Sequence, residues 1–199
     1  MSPLYIGAAN DTIKQVRPAG SRKVIHQDID TTGVSSLVVT GIPDDAVRII
    51  IAARSYSVDT GVYHRFSLQF GNDSSLNTNN VYWYTSGYYR SSGSNTHSRT
   101  LGSPTNFLSL IDTDHTGGGH VENGTVVCNR FSDNEGTSYA GWHVYATFGD
   151  MEGSGMQYTA QGFYGAANGN INRLKIFNSG AGYDSGARIG VSYETGDWD

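Results

Sequence analysis

The sequence predicts an all-β chain: a jelly-roll-like antiparallel β-sandwich over residues 25–199, preceded by a short β-hairpin anchoring arm over residues 1–24. Three observations predict it. Short runs of β-branched and aromatic residues recur at sandwich-like intervals. Groups of Gly, Asn, Asp and Pro, which favour turns, separate nearly every pair of runs. No convincing stretch carries a helical apolar period, and the one candidate helical turn lies near Ser103-Pro104-Thr105-Asn106. A chain of 199 residues buries roughly 70% of its unfolded surface, enough for one core without staples. Its 26 Gly and only 16% charged residues fit many turns and few solvated helical faces, against roughly 25% charge in an average domain.

The elements follow in order. Leu4-Tyr5-Ile6-Gly7 is a short strand-like run, Asn10-Asp11 turns the chain, and Thr12 to Arg17 alternates polar and apolar residues. A hairpin of this size does not hold together alone in water, so it packs on the body, on another copy or on a larger assembly. The body's strand candidates are Val24–Asp28, Ser35–Thr40, Val47–Arg54, Tyr63–Phe70, Phe107–Ile111, Thr125–Arg130, Trp142–Phe148, Met156–Phe163, Ile171–Phe177 and Ala187–Tyr193. Phe66, Leu68 and Phe70 share one face by alternation, and Leu174 and Ile176 carry a similar signal. Val47 to Ala52 is more continuously apolar, as a central strand buried on both faces would be. Turns are expected at Gly41-Ile42-Pro43-Asp44, Asp59-Thr60-Gly61, Glu122-Asn123-Gly124 and Asn178-Ser179-Gly180. No repeat stands out at 20 to 50 residues, which disfavours a propeller or solenoid.

Charge and cysteine narrow the function classes. The net charge of −5 leaves no general basic footprint for nucleic acid. The densest basic stretch, Lys14 to Lys23, reads as a solvated or partner-facing arm. Cys128 is the single cysteine and sits in an apolar run, Thr125 to Cys128, as a small buried hydrophobe would. The N-terminus lacks the regions of a signal peptide, and no apolar run nears the roughly 18 residues of a membrane span. A soluble product made in a cytoplasm is expected.

The strongest recognition signal is Gly71 to Gly93. It sets Tyr82, Trp83, Tyr84, Tyr88 and Tyr89, followed by Arg90, among Asn, Ser, Thr and Gly. Aromatic rings among small polar residues supply contact area at little rotamer cost. Two readings stand: a glycan or receptor site, or a strand in which Tyr82, Trp83 and Tyr84 divide between the core and an adjoining subunit. The best metal candidate is the loop from Asp112 to His120, with Asp112, Asp114 and His120 as ligands. It lacks the EF-hand spacing and also reads as a polar connection. Catalytic patterns are absent: Gly153-Ser154-Gly155 is too short for a nucleophile elbow. Gly165 to Gly169 does not open a helix as a phosphate loop does. A non-enzymatic binding or assembly protein without a cofactor is expected.

Pro3-Leu4-Tyr5-Ile6-Gly7, followed by Ile13-Lys14-Gln15-Val16-Arg17, resembles a module at the N-termini of tailed-bacteriophage virion proteins. Four further pieces resemble β-sandwich domains of phage tail-fibre, tail-tip and head-decoration proteins. They are Leu37 to Pro43, Val47 to Ile51, Leu68 to Gly71 with Thr85 to Tyr88, and Gly186 to Tyr193. The chain departs from that pattern at its end, Glu194-Thr195-Gly196-Asp197-Trp198-Asp199. The resemblance implies a virion structural protein, commonly a homotrimer, assembled in the host cytoplasm. It would hold the particle through Leu4, Tyr5, Ile6, Ile13, Val16 and Arg17. It would serve in host-surface attachment or capsid or tail decoration, with other virion proteins and a host glycan as partners and neither nucleic acid nor membrane insertion. Ten Arg against three Lys suits extensive subunit contact, since Lys is depleted at interfaces while Arg and Tyr are enriched. The alternative is a stand-alone carbohydrate-binding lectin; a polysaccharide-degrading enzyme ranks third.

Overall fold

A computed structural model of the chain describes residues 5–6, 14–15, 23–28, 36–44, 46–56, 64–72, 75–76, 82–90, 97–100, 107–113, 122–132, 140–150, 156–166, 171–177 and 188–195. Those residues form β1 (Tyr5–Ile6), β2 (Lys14–Gln15), β3 (Lys23–Asp28), β4 (Ser36–Thr40), β5 (Ala46–Tyr56), β6 (His64–Asn72), β7 (Ser75–Leu76) and β8 (Tyr82–Arg90). There follow β9 (His97–Thr100), β10 (Leu108–Thr113), β11 (Glu122–Ser132), β12 (Ala140–Asp150), β13 (Met156–Ala166), β14 (Arg173–Phe177) and β15 (Arg188–Thr195). Every pairing is antiparallel.

β1 and β2 pair as a separate two-stranded sheet, Tyr5 opposite Gln15 and Ile6 opposite Lys14. The sandwich is built from an eight-stranded sheet, β3-β15-β5-β11-β12-β13-β8-β9, and a five-stranded sheet, β10-β6-β14-β4, with β7 also on β6. The larger sheet curls, so that β10 at the edge of the smaller one lies against both β8 and β13. The all-β antiparallel sandwich expected from the sequence is therefore present. In the larger sheet β11, β12 and β13 run as a meander, while β15 inserts between β3 and β5 from the far end of the chain.

The core lies between the sheets because alternation sends one side chain of every two inward. From the smaller sheet come Phe66, Leu68, Phe70, Leu108, Leu110, Leu174 and Ile176; from the larger, Ile49, Ile51, Val126, Cys128, Trp142, Val144, Phe148, Ile189 and Val191. Rings bridge the two layers: Phe66 to Phe148 at 5.0 Å between centroids, Phe70 to Tyr164 at 5.1 Å and Phe70 to Trp142 at 6.3 Å. Tilted and offset ring pairs of this kind add about 0.5–1.5 kcal/mol each beyond their buried area.

Two expectations need correction. β5 is central but not buried on both faces: Ile49, Ile51 and Ala53 are buried, whereas Arg48 and Arg54 are exposed and Ile50 and Ala52 half-buried. The apolar run is continuous because its outward positions, Ile50 and Ala52, are themselves apolar. Glu122-Asn123-Gly124 does not turn; it is the start of β11, with Glu122 opposite Asp150 and Gly124 opposite Phe148. The glycine is there because the Phe148 ring lies over it, on ground a β-carbon would occupy. Gly124→Ala therefore forces Phe148 off its site, and should cost about 1–3 kcal/mol as an overpacked core does. Urea unfolding of the variant checks it, read as a lower midpoint at unchanged slope.

Candidate functional site

Of the two readings of the aromatic segment, the strand is present over residues 82–90, and it sends Tyr82 into the core. Residues 82–90 form β8, paired throughout with β13: Tyr82 opposite Tyr164, Trp83 opposite Phe163, Tyr88 opposite Tyr158 and Arg90 opposite Met156. Tyr82 is a core residue rather than a ligand contact, since it is 0% exposed. Its ring stands 5.0 Å from that of Tyr164 and stacks on Phe70 at 6.4 Å. Its hydroxyl accepts the Phe70 N–H at 3.0 Å and donates to the Phe70 carbonyl at 3.1 Å. The phenol fills a gap in the smaller sheet: β10 pairs β6 only as far as Leu68, and β7 resumes at Gly71. One hydroxyl can both donate and accept, so it replaces the missing strand at Phe70. Desolvation by burial pushes its acidity well down, opposed by the Phe70 hydrogen bond and reinforced by Tyr164. For Trp83, Tyr84, Tyr88, Tyr89 and Arg90 the structure describes the backbone in β8.

Other predicted site residues fall as follows. Tyr5 and Ile6 lie in β1; Leu4, Ile13, Val16 and Arg17 lie outside the described residues. Asp112 is in β10 opposite Arg65, while Asp114 and His120 lie outside the described residues. Among the described residues no group of three His, Cys, Asp or Glu is placed to hold a metal ion. Cys128 is buried, and desolvation drives its thiol to resist ionisation, which leaves no nucleophile there.

A different surface carries the chemistry: the outer face of the eight-stranded sheet. On β12 the residues between the core positions, His143, Tyr145 and Thr147, are exposed, as are Gln157, Thr159, Gln161 and Phe163 on β13. Tyr145 is 50% exposed and Phe163 38%. His143 is their hub: its ring lies 4.6 Å from Phe131, and it meets Tyr145 and Phe163 edge-on, each at 6.4 Å. Phe131 reaches His143 because it crosses Gly141, where a β-carbon would strike its ring. Register aligns a row across six strands: Glu194, Arg48, Asn129, His143, Phe163 and Trp83. Arg48 donates from Nε to Asn129 Oδ1 at 2.8 Å and from Nη1 to Glu194 Oε2 at 3.2 Å. An ion pair this exposed contributes little to stability; its effect is to fix the Asn129 amide beside the rings. At the inward end of β11, Arg130 donates to the Asp44 carbonyl at 2.6 Å and fastens the chain entering β5.

Single exposed apolar residues are ordinary on a protein surface, but a contiguous cluster is informative. Here Phe131, His143, Tyr145 and Phe163 are ringed by amides and hydroxyls, and among the described side chains the exposed positions of β12 and β13 carry no Asp, Glu, Lys or Arg. Such a surface stacks on flat apolar faces and hydrogen-bonds neutral polar groups. The sequence does contain its signal. In Trp142 to Phe148 the even positions are apolar and the odd ones are His, Tyr and Thr, which is the alternation of a strand with a wet outer face. Compared with models of protein families and with curated proteins, the chain matches none.

Proposed function

We propose that the protein is a non-enzymatic virion protein of the tailed-phage type, displayed on the particle exterior, that binds a neutral glycan of the host surface. The binding face is the outer side of the eight-stranded sheet. One observation carries the glycan reading: three exposed or half-exposed rings, Phe131, Tyr145 and Phe163, are gathered around His143 among exposed side chains of β12 and β13 that bear no formal charge. Pyranose rings present apolar C–H faces that stack on aromatics, while their hydroxyls pair with groups such as Gln161, Thr147 and Asn129. The virion reading rests on the sequence resemblance and on the paired Tyr5–Ile6 and Lys14–Gln15 segments. Many copies on one particle would turn weak single contacts into firm attachment.

The test is binding of the purified chain to a glycan array and to intact host cells. Tyr145→Ala and Phe163→Ala are each expected to weaken binding about tenfold, equivalent to about 1.4 kcal/mol, with the melting temperature kept because both side chains are exposed. Full-strength binding by the double variant would sink the assignment of this face. Immunogold labelling of intact particles separates the virion protein from a stand-alone lectin, which would bind the same sugars but leave particles unlabelled.

A further inference from the structure

The open edge of β4 leads to an interaction independent of the glycan face. Edge strands expose rows of backbone N–H and C=O groups, and proteins commonly guard them with charged residues or proline. β3 carries Lys23 and Asp28, β9 carries Arg99 and β10 carries Asp112. β4 carries none: it reads Ser36-Leu37-Val38-Val39-Thr40, and Val38 is 43% exposed. Among the described residues, no strand pairs with its outer edge.

Hydrogen-bond parity fixes which groups face that edge. Both polar groups of Phe70 point away from β14, to Tyr82, so Phe70 and Leu174 are a non-hydrogen-bonded pair. Bonding alternates along an antiparallel ladder. Leu174 and Ile176 therefore turn their groups toward β4, where they meet Val39 and Leu37. The groups of Ser36, Val38 and Thr40 are left facing outward.

We infer that two copies of this chain join edge to edge through β4, antiparallel about a twofold axis at Val38. The strand is self-complementary in that register. Val38 meets Val38, Leu37 meets Val39 and Ser36 meets Thr40, so apolar side chains oppose apolar ones and hydroxyls oppose hydroxyls. Ser36, Val38 and Thr40 supply about six backbone hydrogen bonds across the axis. Faces match too. Val39 is buried and Leu37 packs against the core, so both core faces of the joined sheet lie on one side. The two eight-stranded sheets then sit on that same side, and their outer faces point the same way. A twofold contact of this kind closes on itself and does not propagate. Five paired residues make a small interface by the standards of permanent dimers, so the dimer is concentration-dependent.

Cysteine cross-linking tests the register directly, because the native Cys128 is buried and silent. In the dimer, Val38→Cys places two thiols on directly opposed residues, about 5.5 Å apart at Cα, within the range a disulfide spans. Mild oxidation should give a covalent dimer from Val38→Cys, and from Ser36→Cys mixed with Thr40→Cys. Thr40→Cys alone should remain uncrosslinked. Sedimentation of the wild-type chain should show monomer and dimer exchanging with concentration. Val38→Lys should abolish the dimer at an unchanged melting temperature. A wild-type chain that stays monomeric at high concentration, a trimer, or equal cross-linking of Val38→Cys and Thr40→Cys would each overturn the inference. Glycan binding by the monomeric Val38→Lys chain keeps this result separate from the fate of the binding face.

Discussion

Tyr82→Phe is expected to destabilise the fold by about 2–5 kcal/mol, a large effect for the loss of one oxygen. The ring stays, so its packing on Phe70 and Tyr164 is retained. What goes is the partner of two backbone groups at a site with 0% exposure. Each buried donor or acceptor left without a partner costs about 1–3 kcal/mol, and here an N–H and a C=O are orphaned together. Among the described residues no neighbouring strand takes over, because β10 and β7 leave β6 unpaired at Phe70 on that edge. For a chain of this size each kcal/mol corresponds to about 2–4 °C, so the melting temperature should fall by about 4–20 °C. Hydrogen exchange gives the local readout: the Phe70 amide should lose protection out of proportion to its neighbours. A loss below about 0.5 kcal/mol would mean that water or a shifted strand satisfies both groups, and the phenol is no substitute for a strand.

The same residue shows what the sequence made legible. All ten strands expected in the body are present, because a strand that packs an apolar face on the core writes that face into the sequence by alternation. Phe66-Ser67-Leu68-Gln69-Phe70 and Trp142 to Phe148 are the clearest cases. Ser67, Gln69 and Ser109 are nevertheless buried on the far side of the smaller sheet, and nothing in their chemistry announced it. β7 and β9 did not stand out as strands, and β8 stood only as one of two readings of the aromatic segment, since Asn, Ser, Thr and Gly flank them and weaken any periodic signal. Tyr82 was visible as one of five clustered aromatics, yet its inward role depends on a gap in the other sheet's ladder. That gap is a tertiary fact. The candidate face was hidden for a related reason: Phe131, His143, Tyr145 and Phe163 lie on three different strands, and only pairing registers of β11, β12 and β13 assemble them. The sequence contains the outward phase of each strand but not the order in which strands stand side by side.

Alkaline pH should destabilise the protein with a slope that steepens twice, at points that trace to two buried groups. Desolvation raises the folded-state pKa of both Cys128 and Tyr82 above their ordinary values of 9.0 and 10.0. The sign follows from which state holds the proton. Below pH 9 both groups are protonated whether the chain is folded or not, and neither tilts the balance. Above pH 9 the unfolded chain loses the Cys128 proton while the folded one keeps it, and above pH 10 the same holds for Tyr82. Stability is therefore complete below these values and drains away as pH rises, by about 1.4 kcal/mol per group per pH unit. The two together remove about 4 kcal/mol by pH 11, comparable with a large share of the 5–15 kcal/mol that typically holds a domain folded. Variants assign the two changes of slope. Cys128→Ala should flatten the fall that begins near pH 9, and Tyr82→Phe the steeper part beyond pH 10, each relative to its own stability at neutral pH. Urea midpoints collected from pH 7 to 11 provide the curves. If both variants keep the wild-type slope, the alkaline loss belongs to other groups, and the burial of these two is not what sets it.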